Sequence, residues 1–232
     1  MLDQAFEALK SYDWGTDRNL LNPIDEAVIA AHGNDVAGKE LETRLATVLK
    51  TGVSRDAKDF ICRKLMIIGT AASVPTLAEL LPEQDHSHMA RFALERCPGP
   101  EAAQVMRDAL PNLSGALKIG VIGSLGVRRD AASVPALGVL LGDADAAVAS
   151  SAACALGDIR NADAAKALME AKPTDEGVKL AVVDASLNCA EGMLANGKKL
   201  EAIALYKPLV GGDFPKHVRL AATRGMLACA GK

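Results

Sequence analysis

Aromatic residues are scarce in this chain of 232 residues: they make up 3% of the sequence, with one tryptophan, two tyrosines and four phenylalanines. Half of the residues are nevertheless hydrophobic, and alanine is abundant. Alanine has the highest helix propensity and allows helices to approach closely. The composition therefore predicts an all-α protein whose helices pack through small residues.

Clusters of metal-ligating residues are also missing from the sequence. The cysteines are scattered singly with no CxxC pair, and none of the histidines is followed by glutamate. This pattern is typical of small core residues in a reducing compartment, and we expect no disulfide, metal or cofactor. The residues concerned are Cys62, Cys97, Cys154, Cys189, Cys229, His32, His86, His88 and His217.

Signals for membranes, export and nucleic acids are absent as well. No stretch approaches the roughly 20 apolar residues that a membrane span needs, and no basic region precedes an apolar run at the start. The formal charge of −3 lacks the basic excess of nucleic-acid binders. We expect a cytoplasmic protein without nucleic-acid or membrane partners; the alternative is an exported protein, if the chain is a fragment whose signal peptide was removed.

One phrase occurs twice. AASVPTLAELL (71–81) and AASVPALGVLL (131–141) agree at eight of eleven positions and lie sixty residues apart. EAAQVMRDAL (101–110) lies between them and ADAAKALMEA (162–171) follows, both with the same pattern. Each phrase has the apolar spacing of a short amphipathic helix. The sequence thus predicts four short helices that recur about every thirty residues.

A second helix precedes each short helix and ends near one large apolar residue, here named the anchor. The anchors are Leu65, Leu94, Leu125, Leu156 and Leu187, at steps of 29, 31, 31 and 31 residues. Twelve residues after the first four anchors stand Leu77, Met106, Leu137 and Leu168, and four residues before the five anchors stand Ile61, Ala90, Val121, Ala152 and Val183. Each unit is therefore helix A, a tight turn and helix B. A lone hairpin cannot bury both helices, so we predict an α-solenoid (superhelix) of stacked antiparallel helical hairpins.

Both ends of the chain depart from this spacing. We expect residues 53–232 to form about five units plus a terminal helix, as one continuous domain, with EAIALYKPLV as the fifth B helix. Residues 1–52 are predicted to be a degenerate repeat or cap, with helices near 3–11, 23–31 and 36–50. Tyr12 and Trp14 are expected to close the exposed end of the stack, because terminal repeats are atypical.

VASSAACALGDIRNADAAKAL (148–168) and HVRLAATRGMLACAG (217–231) resemble HEAT repeats, nearest to the short HEAT-like repeat named after phycobilisome lyase subunits. The resemblance is strong from about residue 54 onward and weak before it. It implies a curved stack whose B helices line a concave, partner-binding surface. Because such repeats serve many unrelated proteins, it indicates architecture and not activity.

The resemblance also implies a ladder of charged pairs between adjacent units. HEAT repeats often place a basic residue seven before the anchor and an aspartate about six residues earlier, and Arg219 with Asp213 matches this pattern. Lys58 and Lys118 hold the basic position without that aspartate, and Asp143 lies opposite Ala149. The expected ladder is incomplete, and each exposed pair contributes about 0–1 kcal/mol.

Two patterns imitate functional sites. GVIGSLG (120–126) has neither the GxGxxG order nor a preceding strand, and Ser124 lacks the glycine of a nucleophile elbow. Glycines three apart instead predict a flattened face of helix A.

A HEAT-like DNA glycosylase would use aromatic and basic residues in its groove, whereas the one tryptophan here lies in the predicted cap.

Basic residues recur in successive A–B turns. Arg128, Arg129 and Arg160 could form a basic edge, with Lys166 nearby, that holds an acidic segment or phosphates. The alternative is a set of solvated turn charges, partly neutralised by Asp130, Asp158 and Asp163.

The function that these patterns favour is a non-catalytic protein–protein interaction scaffold that uses the concave face. Its partner would be another protein or a domain of the same polypeptide, and the isolated domain would be monomeric. The candidate contacts are Glu79, Arg107, Asp108, Arg128, Arg129, Arg160, Lys166 and Glu170. Two alternatives remain: an accessory subunit of an enzyme, such as a bilin lyase, and a spacer module fused to a catalytic domain in a larger bacterial protein.

Overall fold

The chain is built from α-helices joined by short turns. The structure is a computed structural model that describes residues 1–231, and no β-strand occurs among them. It divides into two compact units, Met1–Leu113 and Ser114–Lys232. The division lies inside the predicted repeat domain of residues 53–232, while the predicted boundary after residue 52 stays a prediction.

Unit 1 contains seven α-helices and two single 3-10 turns. The helices are α1 (Leu2–Lys10), α2 (Asn22–Ala30), α3 (Asp35–Leu49), α4 (Arg55–Ile68), α5 (Val74–Ala78), α6 (Ser87–Arg96) and α7 (Glu101–Ala109), and the 3-10 turns are Arg18–Leu21 and Leu110–Asn112. Polar caps start two of the longer helices: Asn34 accepts a hydrogen bond from Ala37 N, and Ser54 accepts one from Ala57 N. The three N-terminal helices therefore form where the sequence predicts them.

The N-terminal cap is closed by aliphatic and phenylalanine side chains, and not by the tryptophan. Phe6, Leu9, Leu21 and Ile24 are buried between α1, the 3-10 turn and α2. Trp14, by contrast, is 91% exposed, so the prediction that it closes the stack is wrong. The reason is local: it lies in a tight turn that directs the indole outward.

Unit 2 contains the other seven helices and one 3-10 turn, Ala131–Ser133. The helices are α8 (Gly115–Val127), α9 (Val134–Leu140), α10 (Ala146–Ile159), α11 (Ala162–Glu170), α12 (Glu176–Ala195), α13 (Lys199–Gly211) and α14 (Lys216–Cys229). The A helices α8, α10, α12 and α14 pack on one another in chain order, and the B helices α9, α11 and α13 do the same. In unit 1, α4 packs on α6 and α5 packs on α7 in the same way. The predicted all-α solenoid of stacked helical hairpins is confirmed within each unit.

The anchor positions lie in the core, as the spacing predicts. Leu65, Leu94, Leu125 and Leu156 are all fully buried. Their partners on the B helices, Leu77, Met106, Leu137 and Leu168, are buried as well. Burial of an aliphatic side chain of this size stabilises the fold by about 1.5–3 kcal/mol, so these positions are the main apolar framework of the repeats.

The fifth anchor is wrong by one residue. Leu187 is half-buried, whereas Ser186 is buried and donates its hydroxyl to Val182 O at 2.7 Å. Two close helix contacts show the shift. A Cβ added to Gly126 of α8 would lie 2.9 Å from Ala155 Cα of α10, and a Cβ added to Gly157 of α10 would lie 2.9 Å from Ala185 Cα of α12. Ala155 and Ala185 are therefore equivalent; since Ala155 directly precedes the anchor of α10, the residue after Ala185, which is Ser186, holds the anchor position of α12. The last step is therefore 30 residues, and the buried serine satisfies its hydroxyl within its own helix.

These glycines permit close helix contacts, but not along the whole predicted face. Gly126 lies against α10 with no room for a side chain, whereas Gly123 faces open space. GVIGSLG lies inside α8, and Ser124 Oγ donates to Gly120 O at 3.1 Å. Of the three glycines, Gly126 is thus the one whose close packing is observed. The segment is helical and is not a loop.

Charged pairs join the basic position of one repeat to an acidic residue 25 positions later, and not to an aspartate about six residues earlier. Lys58 Nζ lies 3.7 Å from Glu83 Oε2, and Lys118 Nζ lies 3.7 Å from Asp143 Oδ2. Arg219 and Asp213 are both exposed and form no ion pair within the described part of the chain. The two observed pairs are themselves sixty residues apart, the same offset as the two copies of the duplicated phrase that they flank.

None of the helices in the described residues has the length and apolar character required to cross a bilayer.

Candidate functional site

The B helices of unit 2 present a grooved surface. The short helices α9, α11 and α13 lie side by side, with one groove on each side of α11. Both grooves reach Ala171, at the end of α11. We name them the α9–α11 groove and the α11–α13 groove. This is the surface on which the repeat pattern predicts partner contacts.

The α9–α11 groove is shallow and mixed in character, with a volume of about 500 Å³. Val139 of α9 is 78% exposed and forms its apolar wall. Asp163, Lys166 and Glu170 of α11 provide its charged wall. An apolar side chain beside both signs of charge suits a peptide that carries an apolar residue flanked by polar ones.

The α11–α13 groove is apolar, with a volume of about 310 Å³. The long helix α12 contributes Val182, Val183 and Ser186 to its lining. Met169 of α11 is 50% exposed at its edge, and Phe214 lines it from the segment after α13. The hydroxyl of Ser186 is bonded to its own helix, and Lys179 pairs with Glu176 at 2.6 Å. The groove can therefore accept apolar side chains.

Two of the predicted contact residues come together in this surface. Lys166 and Glu170 are exposed, lie one helical turn apart on α11, and both line the α9–α11 groove. Their role in binding stays a prediction.

The three turn arginines do not form one free basic edge. Arg129 is exposed and Arg128 is half-buried at the end of α8. Arg160 instead lies flat against Gly192, where a Cβ has no room, and donates to Asn188 Oδ1. Asn188 Nδ2 in turn donates to Asp158 Oδ1 at 3.0 Å. The guanidinium of Arg160 thus ties the α10–α11 turn to α12, and its part in partner binding stays a prediction.

A left-handed backbone gives these turns their common shape. Arg129 has φ 52° and Arg160 has φ 56°, at positions 31 residues apart in the two repeats. A non-glycine residue in this region ends a helix at a modest energetic cost. The two turns therefore have the same backbone conformation, although the side chains of Arg129 and Arg160 have different surroundings.

The remaining predicted contacts belong to unit 1. Glu79 and Asp108 are exposed and Arg107 is half-buried. Gln104 links two of them on α7: it accepts from Arg107 Nη2 at 2.6 Å and donates to Asp108 Oδ1 at 2.7 Å. Gln104, Arg107 and Asp108 form a polar strip on α7, whereas Glu79 lies at the end of α5. The part of the three predicted residues in binding stays a prediction.

Cysteine chemistry is largely suppressed by burial. Burial, with a contribution from Asp59, raises the pKa of Cys62 to about 12, and burial raises the pKa of Cys189 to about 11. Both remain thiols at neutral pH and are poor nucleophiles. Cys154 is exposed on the outer side of α10, so the prediction of core placement is wrong for this cysteine. Among residues 1–231, no group of three or more His, Cys, Asp or Glu side chains is arranged to hold a metal.

Val139, Met169 and Phe214 are surface contributors that sequence reasoning missed. The repeat pattern assigns apolar residues to the core, and it therefore marks only polar residues as candidate contacts. On a helix of seven residues such as α9, the apolar spacing predicts a face but does not show which apolar residue lies at its exposed edge.

The comparison with protein families agrees with the repeat architecture. Residues 103–186 match the family model of HEAT repeats, and no curated protein matches the chain. An engineered protein from a structural genomics consortium is similar over 100% of this chain and 68% of its own, with 18% identity and a TM-score of 0.48. Human deoxyhypusine hydroxylase in complex with glycerol is similar over 100% of this chain and 96% of its own, with 14% identity and a TM-score of 0.41.

Proposed function

We propose that this chain, whose residues 103–186 match the family model of HEAT repeats, acts as a non-catalytic scaffold for protein–protein interaction. The partner is another protein or another domain of the same polypeptide. Its binding surface is formed by the B helices of unit 2, α9, α11 and α13. The short phycobilisome-lyase subtype and an accessory role in bilin attachment stay predictions.

The observation that carries the proposal is the pair of grooves that flank α11. Val139 and Met169 expose 78% and 50% of their surface on these helices. Large apolar side chains at the edges of preformed grooves are typical of protein interaction sites. Since the helices are already packed, binding there costs little ordering entropy.

Position-resolved photo-crosslinking tests the proposal. A photoreactive phenylalanine analogue replaces Val139 or Met169 in the intact protein, expressed in its own host. The control position is Leu220 on α14, which is an A-type helix, with a comparable exposure of 59%. We expect the same partner to be crosslinked from positions 139 and 169 and not from position 220.

Charge substitutions measure how much each position contributes to the affinity for the partner. Met169→Glu and Val139→Glu place a carboxylate at the groove edges and should weaken partner binding about tenfold or more, whereas Leu220→Glu should not. Equal loss in all three variants, or crosslinks only from position 220, would show that the B-helix surface is not the binding site.

A further inference from the structure

Aromatic side chains are concentrated on one surface of unit 1. The sequence has seven Phe, Tyr and Trp residues, and four of them line two adjacent pockets along α4: Tyr12, Trp14, Phe60 and Phe92. The two pockets share Asp59 and Arg63 as their common wall. We name this region the aromatic surface. In a chain so poor in aromatics, this concentration calls for a functional explanation.

The larger pocket has a volume of about 490 Å³ and an exposed tryptophan at its edge. Trp14 N donates to Asp13 Oδ1 at 2.9 Å, Thr16 N donates to Asp13 O at 3.0 Å, and Gly15 has φ 83°. The carbonyl of Tyr12 accepts a hydrogen bond from Ser54 Oγ at 2.5 Å, which ties the turn to the start of α4. The indole is thus 91% exposed although its backbone is held in place.

The smaller pocket, of about 160 Å³, is apolar at its base. Met66 and Met89 line it, and the ring of Phe92 stands at its edge, 49% exposed. The ring of His88 meets Phe92 edge-to-face, with 4.9 Å between centroids. This pocket is large enough for one apolar side chain, and methionines adapt readily to the shape of an incoming group.

Two arginines of the aromatic surface keep hydrogen-bond donors that their own carboxylate partners do not use. Asp25 accepts from Arg18 Nη2 at 2.6 Å and lies 2.5 Å from Lys64 Nζ, so one carboxylate serves two cations. Arg63 donates through Nε to Asp59 at 2.7 Å. Its two terminal amino groups form no hydrogen bond with the described residues, and its side chain is 70% exposed. A guanidinium carries five N–H donors, so Arg18 and Arg63 both have donors left for a ligand.

The carboxylates of this surface are already engaged. Asp59 pairs with Arg63, Asp25 with Arg18 and Lys64, and Asp56 lies 3.8 Å from Arg55. Burial alone would push the pKa of Asp25 upward, but hydrogen bonds and charge from Lys64 and Arg18 outweigh burial and hold it below its ordinary value. Each of these carboxylates thus faces a cation, whereas Arg18 and Arg63 keep guanidinium donors that a ligand can engage.

We propose that the aromatic surface binds an acidic peptide segment of a partner protein. The segment packs against Trp14, places one apolar side chain in the pocket beside Phe92, and pairs its carboxylates with Arg63 and Arg18. Trp, Tyr and Arg are the residues most enriched among binding hot spots, and forked guanidinium donors suit carboxylates geometrically. The site lies on unit 1 and is independent of the B-helix grooves of unit 2.

Peptide display measures the chemistry of this partner directly. A library of random peptides that omits tryptophan is selected on the whole chain and counter-selected on Trp14→Ala, which should fold normally because the indole is exposed. We expect the recovered peptides to be enriched in Asp and Glu around one large apolar residue. Recovery of neutral or basic peptides, or of no peptide that depends on Trp14, would overturn the proposal.

Fluorescence then quantifies binding, because the sequence contains one tryptophan. Titration with a selected peptide should shift the emission of Trp14 to shorter wavelength and protect it from iodide quenching. Arg63→Glu should weaken binding about tenfold or more. Its matched control is Arg224→Glu, the same charge change at an exposed residue of α14 outside the two pockets, which should leave the affinity within about twofold.

Two further results would count against an acidic peptide. If Arg63→Glu binds the selected peptide as well as the wild type does, the guanidinium is not part of the site. If adenosine monophosphate shifts the Trp14 emission while no selected peptide does, the surface is a nucleotide site and not a protein interface.

Discussion

The duplicated phrase lies once in each unit, at residues 71–81 in unit 1 and 131–141 in unit 2. Both copies bury the same serine, valine and leucine: Ser73, Val74 and Leu77 in the first, and Ser133, Val134 and Leu137 in the second. Both begin their short helix one residue before a proline. The apolar framework of the two copies is therefore the same.

The two copies differ in what their buried serine bonds. Ser73 donates both its backbone N–H and its hydroxyl to Glu42 of α3, which is 1% exposed. Thr70 adds its own backbone N–H, at 2.7 Å, and its hydroxyl to the same carboxylate. In the second copy, Ser133 Oγ donates to the carbonyl of Asp130 at 2.7 Å.

The residues that form this network do not recur sixty positions later. Ala102 stands where Glu42 would recur, and Asp130 stands where Thr70 would recur. The buried serine of the first copy thus bonds a carboxylate from α3, two helices earlier, whereas that of the second copy bonds a backbone carbonyl of its own turn. Near-identical helices can therefore rest on different polar supports, and the stability of each copy should respond differently to the same substitution.

Removing the buried carboxylate should have the largest effect. Glu42→Ala leaves the N–H groups of Thr70 and Ser73 without their acceptor, and we expect a loss of about 3 kcal/mol in the free energy of unfolding. Urea denaturation followed by circular dichroism measures it. Glu40→Ala, an exposed position on α3, is the matched control and should change stability by less than about 0.5 kcal/mol. Equal effects would mean that the network does not support the first copy.

The same serine substitution in the two copies tests the comparison itself. Ser73→Ala removes a hydrogen bond to a buried carboxylate and should cost about 2 kcal/mol, whereas Ser133→Ala removes one to a backbone carbonyl and should cost about 1 kcal/mol. Both variants are measured in the same denaturation experiment. A larger loss for Ser133→Ala would contradict the polar supports described here.

The bridging lysines should show the smallest effect and no difference between copies. Lys58→Met and Lys118→Met keep the aliphatic stem and remove the charge that faces Glu83 or Asp143. Because these pairs are partly exposed, each change should cost less than about 1 kcal/mol and the cost should fall further at high salt. A loss above about 2 kcal/mol in one copy alone would show that its pair is more than a surface bridge.

Much of the architecture could be predicted because it depends on local spacing. The anchors Leu65, Leu94, Leu125 and Leu156 are buried because their apolar period matches the helix. The prediction of Leu187 as the fifth anchor is wrong, because a register shift of one residue moves the buried position to Ser186. The apolar character of the neighbouring residues does not reveal this shift. The candidate site was predicted less well: the sequence marked Lys166 and Glu170 but not Val139 and Met169, because exposure on a short helix depends on which helices pack beside it.

The sequence alone determined the helical hairpin, its length of about thirty residues and the apolar face that each helix buries, because these follow from periodicity and turn residues along the chain. Tertiary structure decided which groups meet across repeats: Arg160 against Gly192, Lys118 with Asp143, and Ser73 with Glu42. It also decided that Trp14 faces solvent. Contacts between distant residues depend on the rotation and offset of packed helices, and a shift of one residue turns a side chain by about 100° around its helix.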